Sequence, residues 1–256
     1  MLKKQSLPKV AAVAAIFVAI ILWRPTVLIY GLQAAGLYAS IAIPMGLVLG
    51  IVHIVNLAHG EIMMVAAYSS YMLCSWLGID PYISLIPVAI ITAIFGFIIY
   101  RLTIRQTLKA PELNQLILTF GIAISLTQLA NIVFTSQTRK MSFSYVSASM
   151  DIGELSFGIY NFVFLVAAIV LAYGLKFFLH KTVAGKAALA VGQNPRGAAI
   201  VGIDVDKTYG LIFALACALV GAMGAMFITR SAVFPSVGSP FTMKSFCLIA
   251  MAGIGN

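Results

Sequence analysis

The chain has 256 residues, of which 62% are hydrophobic and only 9% charged, with a formal net charge of +9 and a mean hydropathy of +1.05. A soluble domain carries roughly 25% charged residues, so a water-facing globule is excluded. No nucleic-acid partner is implied either, because the Lys and Arg residues sit mainly in breaks between apolar runs, where membrane topology accounts for them.

Apolar runs recur from end to end, and a helical span needs about 20 such residues. Helices are expected because lipid cannot satisfy free backbone N–H and C=O groups. The expected fold class is all-α: a polytopic integral membrane helical bundle of about eight spans, one domain over residues 1–256. The positive start MLKKQSLPKV leads into a short first span anchored by Trp23 and Arg24, with no small-residue cleavage site behind it. Further spans are expected at 27–52, 62–77, 83–100, 116–134, 159–179 and 209–229. An eighth begins near Met243 and breaks off at Asn256, which implies a longer natural chain. The long apolar run over 27–61 leaves the position of its break, and so the span count, open.

Topology follows from charge. With the N-terminus inside, the inner segments hold Lys3, Lys4, Lys9, Arg101, Arg105 and Lys109, then Lys176, Lys181, Lys186, Arg196 and Lys207. The outer segments hold only Arg24, Arg139, Lys140, Arg230 and Lys244. That imbalance favours a cytoplasmic N-terminus. The cysteines Cys74, Cys217 and Cys247 stand alone in apolar runs and are expected as small core residues.

The stretch IVNLAHGEIMMVAAY (Ile54–Tyr68) places Asn56, His59, Gly60 and Glu61 among apolar residues. A metal site is disfavoured, since His53, His59 and Glu61 do not share a helical face. An intramembrane hydrolase with His59 or Glu61 as general base needs a nucleophile in reach, and only scattered serines are on offer. A break between helices fits better: Asn56 caps, Gly60 admits another backbone, and Glu61 starts a helix at its positive end. A hinge and gate ranks ahead of direct substrate contact. In LILTFGIAISLTQLANIVF, Gly121, Ser125, Gln128 and Asn131 share a broad face expected to turn toward the bundle. It serves either as interhelical hydrogen bonding or as the lining of a path. Gly46 with Gly50, and Gly221 with Gly224, are expected to be close-packing positions. On the outer side, 135–158 and 230–241 are candidate docking loops for a delivering protein, with rim charges at Arg139, Lys140, Asp151 and Glu154.

The longest inner loop, HKTVAGKAALAVGQNPRGAAIVGIDVDKTYG, spans His180–Gly210. Thr182 is expected to cap a short helix through Val191. Asn194 is expected to cap a second, with Pro195 at its first position and Gly202 as its terminator, and Asp206 to cap the next span. Small residues let another protein's backbone approach, so 180–208 is expected to be a coupling loop. Its docking residues are Lys186, Gln193, Asn194, Pro195, Arg196, Ala198, Ala199 and Gly202. No G-x-x-x-x-G-K-[ST] cradle occurs in the sequence, so no nucleotide site of its own is expected.

VNLAHGEIMMVAAY, AGKAALAVGQNPRGAAIVGIDV and GAMGAMFITRSAVFPSVGSPFTMKSF together resemble the ABC-transporter permeases for branched-chain amino acids, most closely the shorter permease subunit. The resemblance covers nearly the whole chain. It implies an importer of the bacterial inner membrane with a second permease subunit, two cytoplasmic ATPase subunits that bind the ATP, and an extracytoplasmic substrate-binding protein. Close relatives importing urea or short amides supply an alternative substrate. In place of the family's E-A-A-x-x-x-G docking loop this chain has Gly197-Ala198-Ala199 with Gly202. The glutamate is missing and the second glycine comes one residue early, so the loop's role carries over but its atomic contacts do not.

Overall fold

The computed structural model describes residues 25–108, 110–147, 149–152, 155–158 and 162–253. The expected first span, Glu154 and the side chain of Asp151 lie outside the described residues. In chain order the helices are α1 (Pro25–Val52), α2 (His59–Leu77), α3 (Pro81–Ile99), α4 (Glu112–Phe134), α5 (Val163–Lys181), α6 (Val183–Gln193), α7 (Pro195–Ile200), α8 (Val205–Arg230) and α9 (Ser239–Ala252). Helix α3 continues through a π-helical turn, Tyr100–Ile104, and a last α-helical stretch, Arg105–Thr107. Two short strands, β1 (Ser149–Ile152) and β2 (Leu155–Gly158), form an antiparallel hairpin that departs from the all-α expectation.

Among the described residues five stretches are long and apolar enough to cross a membrane: Thr26–Val52, Pro81–Thr107, Glu112–Phe134, Val163–Lys181 and Val205–Arg230. Helix α2 is not among them. Polar residues at its start and Ser69, Ser70 and Ser75 further along lower its hydropathy, and neighbouring helices cover most of its surface in place of lipid. Helix α8 is the hub, packing on α3, α2 and α1, while α1 also holds α5 and α9. Close approach on α8 comes from small residues: Gly221 lies against Thr92, and Gly224 against Met63 and Ala66. Gly46 and Gly50 do not serve that way. A Cβ on Gly46 would reach only the Ile249 side chain, at 3.9 Å, and one on Gly50 would meet nothing within 4 Å; the small residue where α6 meets this end of α1 is Gly192, whose added Cβ would lie 3.3 Å from the Gly50 carbonyl oxygen. Cys74 and Cys217 are buried, but Cys247 is exposed on α9.

Two chain reversals shape the interior. His53, just past the end of α1, takes a left-handed φ of 59°, and its Nε2 lies 2.9 Å from the Gly192 carbonyl at the end of α6. Residues 53–58 then run back along α1 in non-helical form until His59 Nε2 sits 2.8 Å from the Ile41 carbonyl. Ile41 lies about 16 Å before the end of α1 at 1.5 Å per residue. Helix α2 therefore begins half-way along α1. The second reversal follows α8: Val233 pairs with Arg139, and Val237 and Gly238 turn inward and are buried, so that α9 also starts inside the bundle.

Candidate functional site

The starts of α2 and α9 meet. The Gly60 N–H donates to Thr242 Oγ1 at 2.8 Å, and the Thr242 hydroxyl donates to Glu61 Oε2 at 3.3 Å. A Cβ on Gly60 would lie 2.6 Å from Thr242 Oγ1, and one on Gly238 would lie 2.7 Å from the Glu61 amide nitrogen. Only glycine on both sides lets the backbones touch. Asn56 Oδ1 accepts from the Ala58 N–H at 3.0 Å, supplying the cap that Ala58, at the N-cap position, has no side chain to give. The Ile41 carbonyl can only accept, so His59 carries its proton on Nε2. Asn56, His59 and Glu61 are all buried. The break thus sits inside the bundle, and the structure brings Asn56, His59, Gly60 and Glu61 together as a seam between two interrupted helices, a construction that transporters use near substrate paths.

Beside the seam lies a cavity of about 350 Å³, within the size range of small-ligand pockets. Its polar wall comes from Glu61, Thr127, Gln128, Ser236, Ser239 and Thr242. Its apolar wall comes from Leu57, Phe120, Ala123, Ile124 and Met243. Gln128 is thus at the cavity, whereas Asn131 is not: its Oδ1 accepts from the Ser136 hydroxyl in the following loop, at 3.1 Å. The expected inward turn of the Gly121, Ser125 and Gln128 face is also corrected. The face of α4 packed on this chain carries Gln115, Thr119, Ala123, Leu126 and Ala130, while Gly121, Ser125 and Gln128 are exposed. The mostly small residues of the packed face let α4 approach α2, so the opposite face, and with it the cavity mouth, opens away from the chain's own bundle.

Sequence reasoning missed Ser236 and Ser239, which lie in a segment taken for an outer docking loop, and Thr242 just beyond it. The one signal was local: Gly238-Ser239-Pro240 is a helix-start pattern with Pro in the first turn.

The 180–208 loop folds as its caps dictate. Thr182 Oγ1 accepts from the Gly185 N–H at 3.0 Å, Asn194 Oδ1 accepts from the Gly197 N–H at 2.9 Å, and Gly202 takes a φ of 88°. The cap of α8 is Asp204, which accepts from the Lys207 N–H at 3.0 Å. That bond, with the Lys207 ammonium beside it, holds the Asp204 carboxyl below the usual carboxylate range. Asp206, expected in this role, lies in the first turn and instead joins α8 to the end of α3. Its carboxylate receives Tyr100 Oη–H at 3.0 Å, Arg101 Nη1 at 3.3 Å and Arg105 Nε at 2.9 Å. Lys186, Gln193, Asn194, Arg196, Ala199 and Gly202 are exposed and Pro195 is partly so, but Ala198 is turned into the core. The helical period that exposes Ala199 and Ile200 points Ala198 inward. Val183, Ile200 and Val201 are 87%, 86% and 75% exposed, apolar knobs that the sequence reading did not single out.

Residues 27–256 match the family described as branched-chain amino acid transport system, permease component. Relatives include the high-affinity branched-chain amino acid transport system permease protein BraD of Pseudomonas aeruginosa, 28% identical over 247 residues, covering 90% of this chain and 79% of that protein. LivH of Salmonella typhimurium is 27% identical over 88% of this chain and 78% of its own. The probable branched-chain amino acid transport permease protein LivH of Methanocaldococcus jannaschii is 28% identical over 87% and 73%. No solved structure matches the chain significantly. The interrupted helices, the buried polar seam and the capped loop therefore stand in a membrane protein that belongs to the permease components of branched-chain amino acid transport systems.

Proposed function

We propose that this chain forms, as a single permease domain, one half of the membrane pathway of an ATP-driven importer of branched-chain amino acids. The observation that carries the reading is the cavity between the starts of α2 and α9 and the outer face of α4, which is open on the side away from the chain's own bundle. A second permease subunit set against α4 and α9 would close it into a conduit. The branched-chain relatives named above supply the substrate class, and the apolar wall of Leu57, Phe120, Ile124 and Met243 suits a branched aliphatic side chain. Urea or short amides would leave that wall without a partner.

The chain is placed in the inner membrane with its N-terminus and the α6–α7 loop in the cytoplasm, in keeping with the concentration of Arg101, Arg105, Lys186, Arg196 and Lys207 at one end. Nucleotide is bound by two partner ATPases, which dock on α6 and α7 through Lys186, Gln193, Asn194, Arg196, Ala199 and the knobs Ile200 and Val201. A binding protein delivers substrate from the other side. His59 ties the start of α2 to α1, its Nε2–H donating to the Ile41 carbonyl. The test is leucine uptake into proteoliposomes holding the whole complex. Uptake is expected only with ATP and the binding protein. Flux without ATP would make the chain a channel, and substrate cleavage would make it an enzyme.

A further inference from the structure

We infer that Glu61 is the receptor for the α-ammonium group of the transported amino acid, inside the cavity beside the start of α2. The inference rests on the importer reading above. A carboxylate within the bundle costs several kcal/mol unless its charge is answered. Every ion pair formed among the described residues goes elsewhere: Arg101 and Arg105 to Asp206, and Lys207 to Asp204. Glu61 receives the Thr242 hydroxyl and its own backbone N–H, both neutral donors, and among the described residues no Lys or Arg lines the cavity.

Capping accounts for part of it: Asn56 Oδ1 takes the Ala58 N–H, Thr242 Oγ1 the Gly60 N–H, and the Glu61 carboxylate its own N–H, but none of these neutral donors supplies a counter-charge. The helix dipole at the first turn favours the ionised form while burial in the bundle disfavours it, so a negative charge at the cavity wall calls for a counter-ion. An ammonium group does supply one. Its N–H donors form charge-assisted bonds with a carboxylate, the aliphatic side chain then faces Phe120, Ile124 and Met243, and the α-carboxylate is left to the hydroxyl and amide donors of Thr127, Gln128, Ser236 and Ser239. A neutral urea or amide would leave the charge unanswered, so the same residue selects against the alternative substrates.

Two experiments on the assembled complex in lipid nanodiscs test this. In the wild-type protein, labelling of Glu61 by dicyclohexylcarbodiimide is expected to be blocked by leucine and not by 4-methylpentanoate, which lacks only the ammonium group. Equal protection by the two overturns the assignment, as does no protection by leucine. In equilibrium binding of radiolabelled leucine without the binding protein, Glu61→Gln is expected to weaken affinity about tenfold or more, and Glu61→Asp by less. Wild-type affinity in Glu61→Gln overturns the assignment. Should Glu61→Gln fail to assemble, the wild-type protection result decides alone. The importer reading stands or falls separately, on ATP-dependent leucine uptake by the wild-type complex.

Discussion

At Gly60 a single methyl group would come within 2.6 Å of Thr242 Oγ1 and 2.7 Å of the Gly238 carbonyl carbon, and neither can give way without separating α2 from α9. Gly60→Ala is expected to destabilise the protein by about 1–3 kcal/mol through overpacking. Asn56→Ala should cost about 1 kcal/mol through the lost cap. Thermal unfolding of the purified subunit in detergent would rank them, and an Asn56→Ala loss larger than that of Gly60→Ala contradicts the seam geometry. Asn56, Gly60 and Glu61 were legible in the sequence because polar residues stand out against an apolar run. Thr242, their partner, was not. It is one of many hydroxyl residues in its region, and the contact that gives it meaning lies 182 residues away.

At the scale of elements, the spans near 27–52, 83–100, 116–134, 159–179 and 209–229 followed from apolar length and the loop helices from caps, since Thr182, Asn194 and Pro195 act on neighbours only a few residues distant. The mid-bundle starts of α2 and α9 did not follow. Counting span lengths assumes that a helix begins at the membrane edge, and only His59 reaching Ile41 reveals otherwise. The α6–α7 pair invites a paired test. Arg196→Glu combined with Ile200→Asp should reduce co-purification of the ATPase subunits while leaving the permease's thermal stability within about 0.5 kcal/mol, as for other surface changes. Ala198→Leu should do the reverse, destabilising the fold by about 1–3 kcal/mol. The cluster of Tyr100, Arg101 and Arg105 on Asp206 binds the π-helical end of α3 to the first turn of α8. Its charged groups are partly exposed, so Asp206→Asn should change stability by about 1 kcal/mol or less. Because the clamp links the docking loop to two long helices, transport per ATP hydrolysed should fall more than stability does. Wild-type stoichiometry in Asp206→Asn would assign the clamp to packing alone.

For the molecule as a whole, the exposed faces divide into two kinds. Along α3 the outward residues are Ile83, Ile86, Ile90, Ile94 and Ile98, a surface suited to lipid. Along α4 the outward face mixes Gly121, Ser125 and Gln128 with apolar neighbours, a composition more typical of helix contacts than of lipid contacts. A cysteine introduced by Ser125→Cys should therefore cross-link to the second permease subunit in native membranes, and one introduced by Ile90→Cys should not. The opposite pattern would move the pathway to another face. The meeting of Gly60 with Gly238 also bears on biosynthesis. A ribosome completes α2 long before Thr242 exists, so His59 can already reach the Ile41 carbonyl of α1 while Gly60 and Glu61 still lack their partner on α9. That side of the helix stays incompletely seated until the closing segment is synthesised.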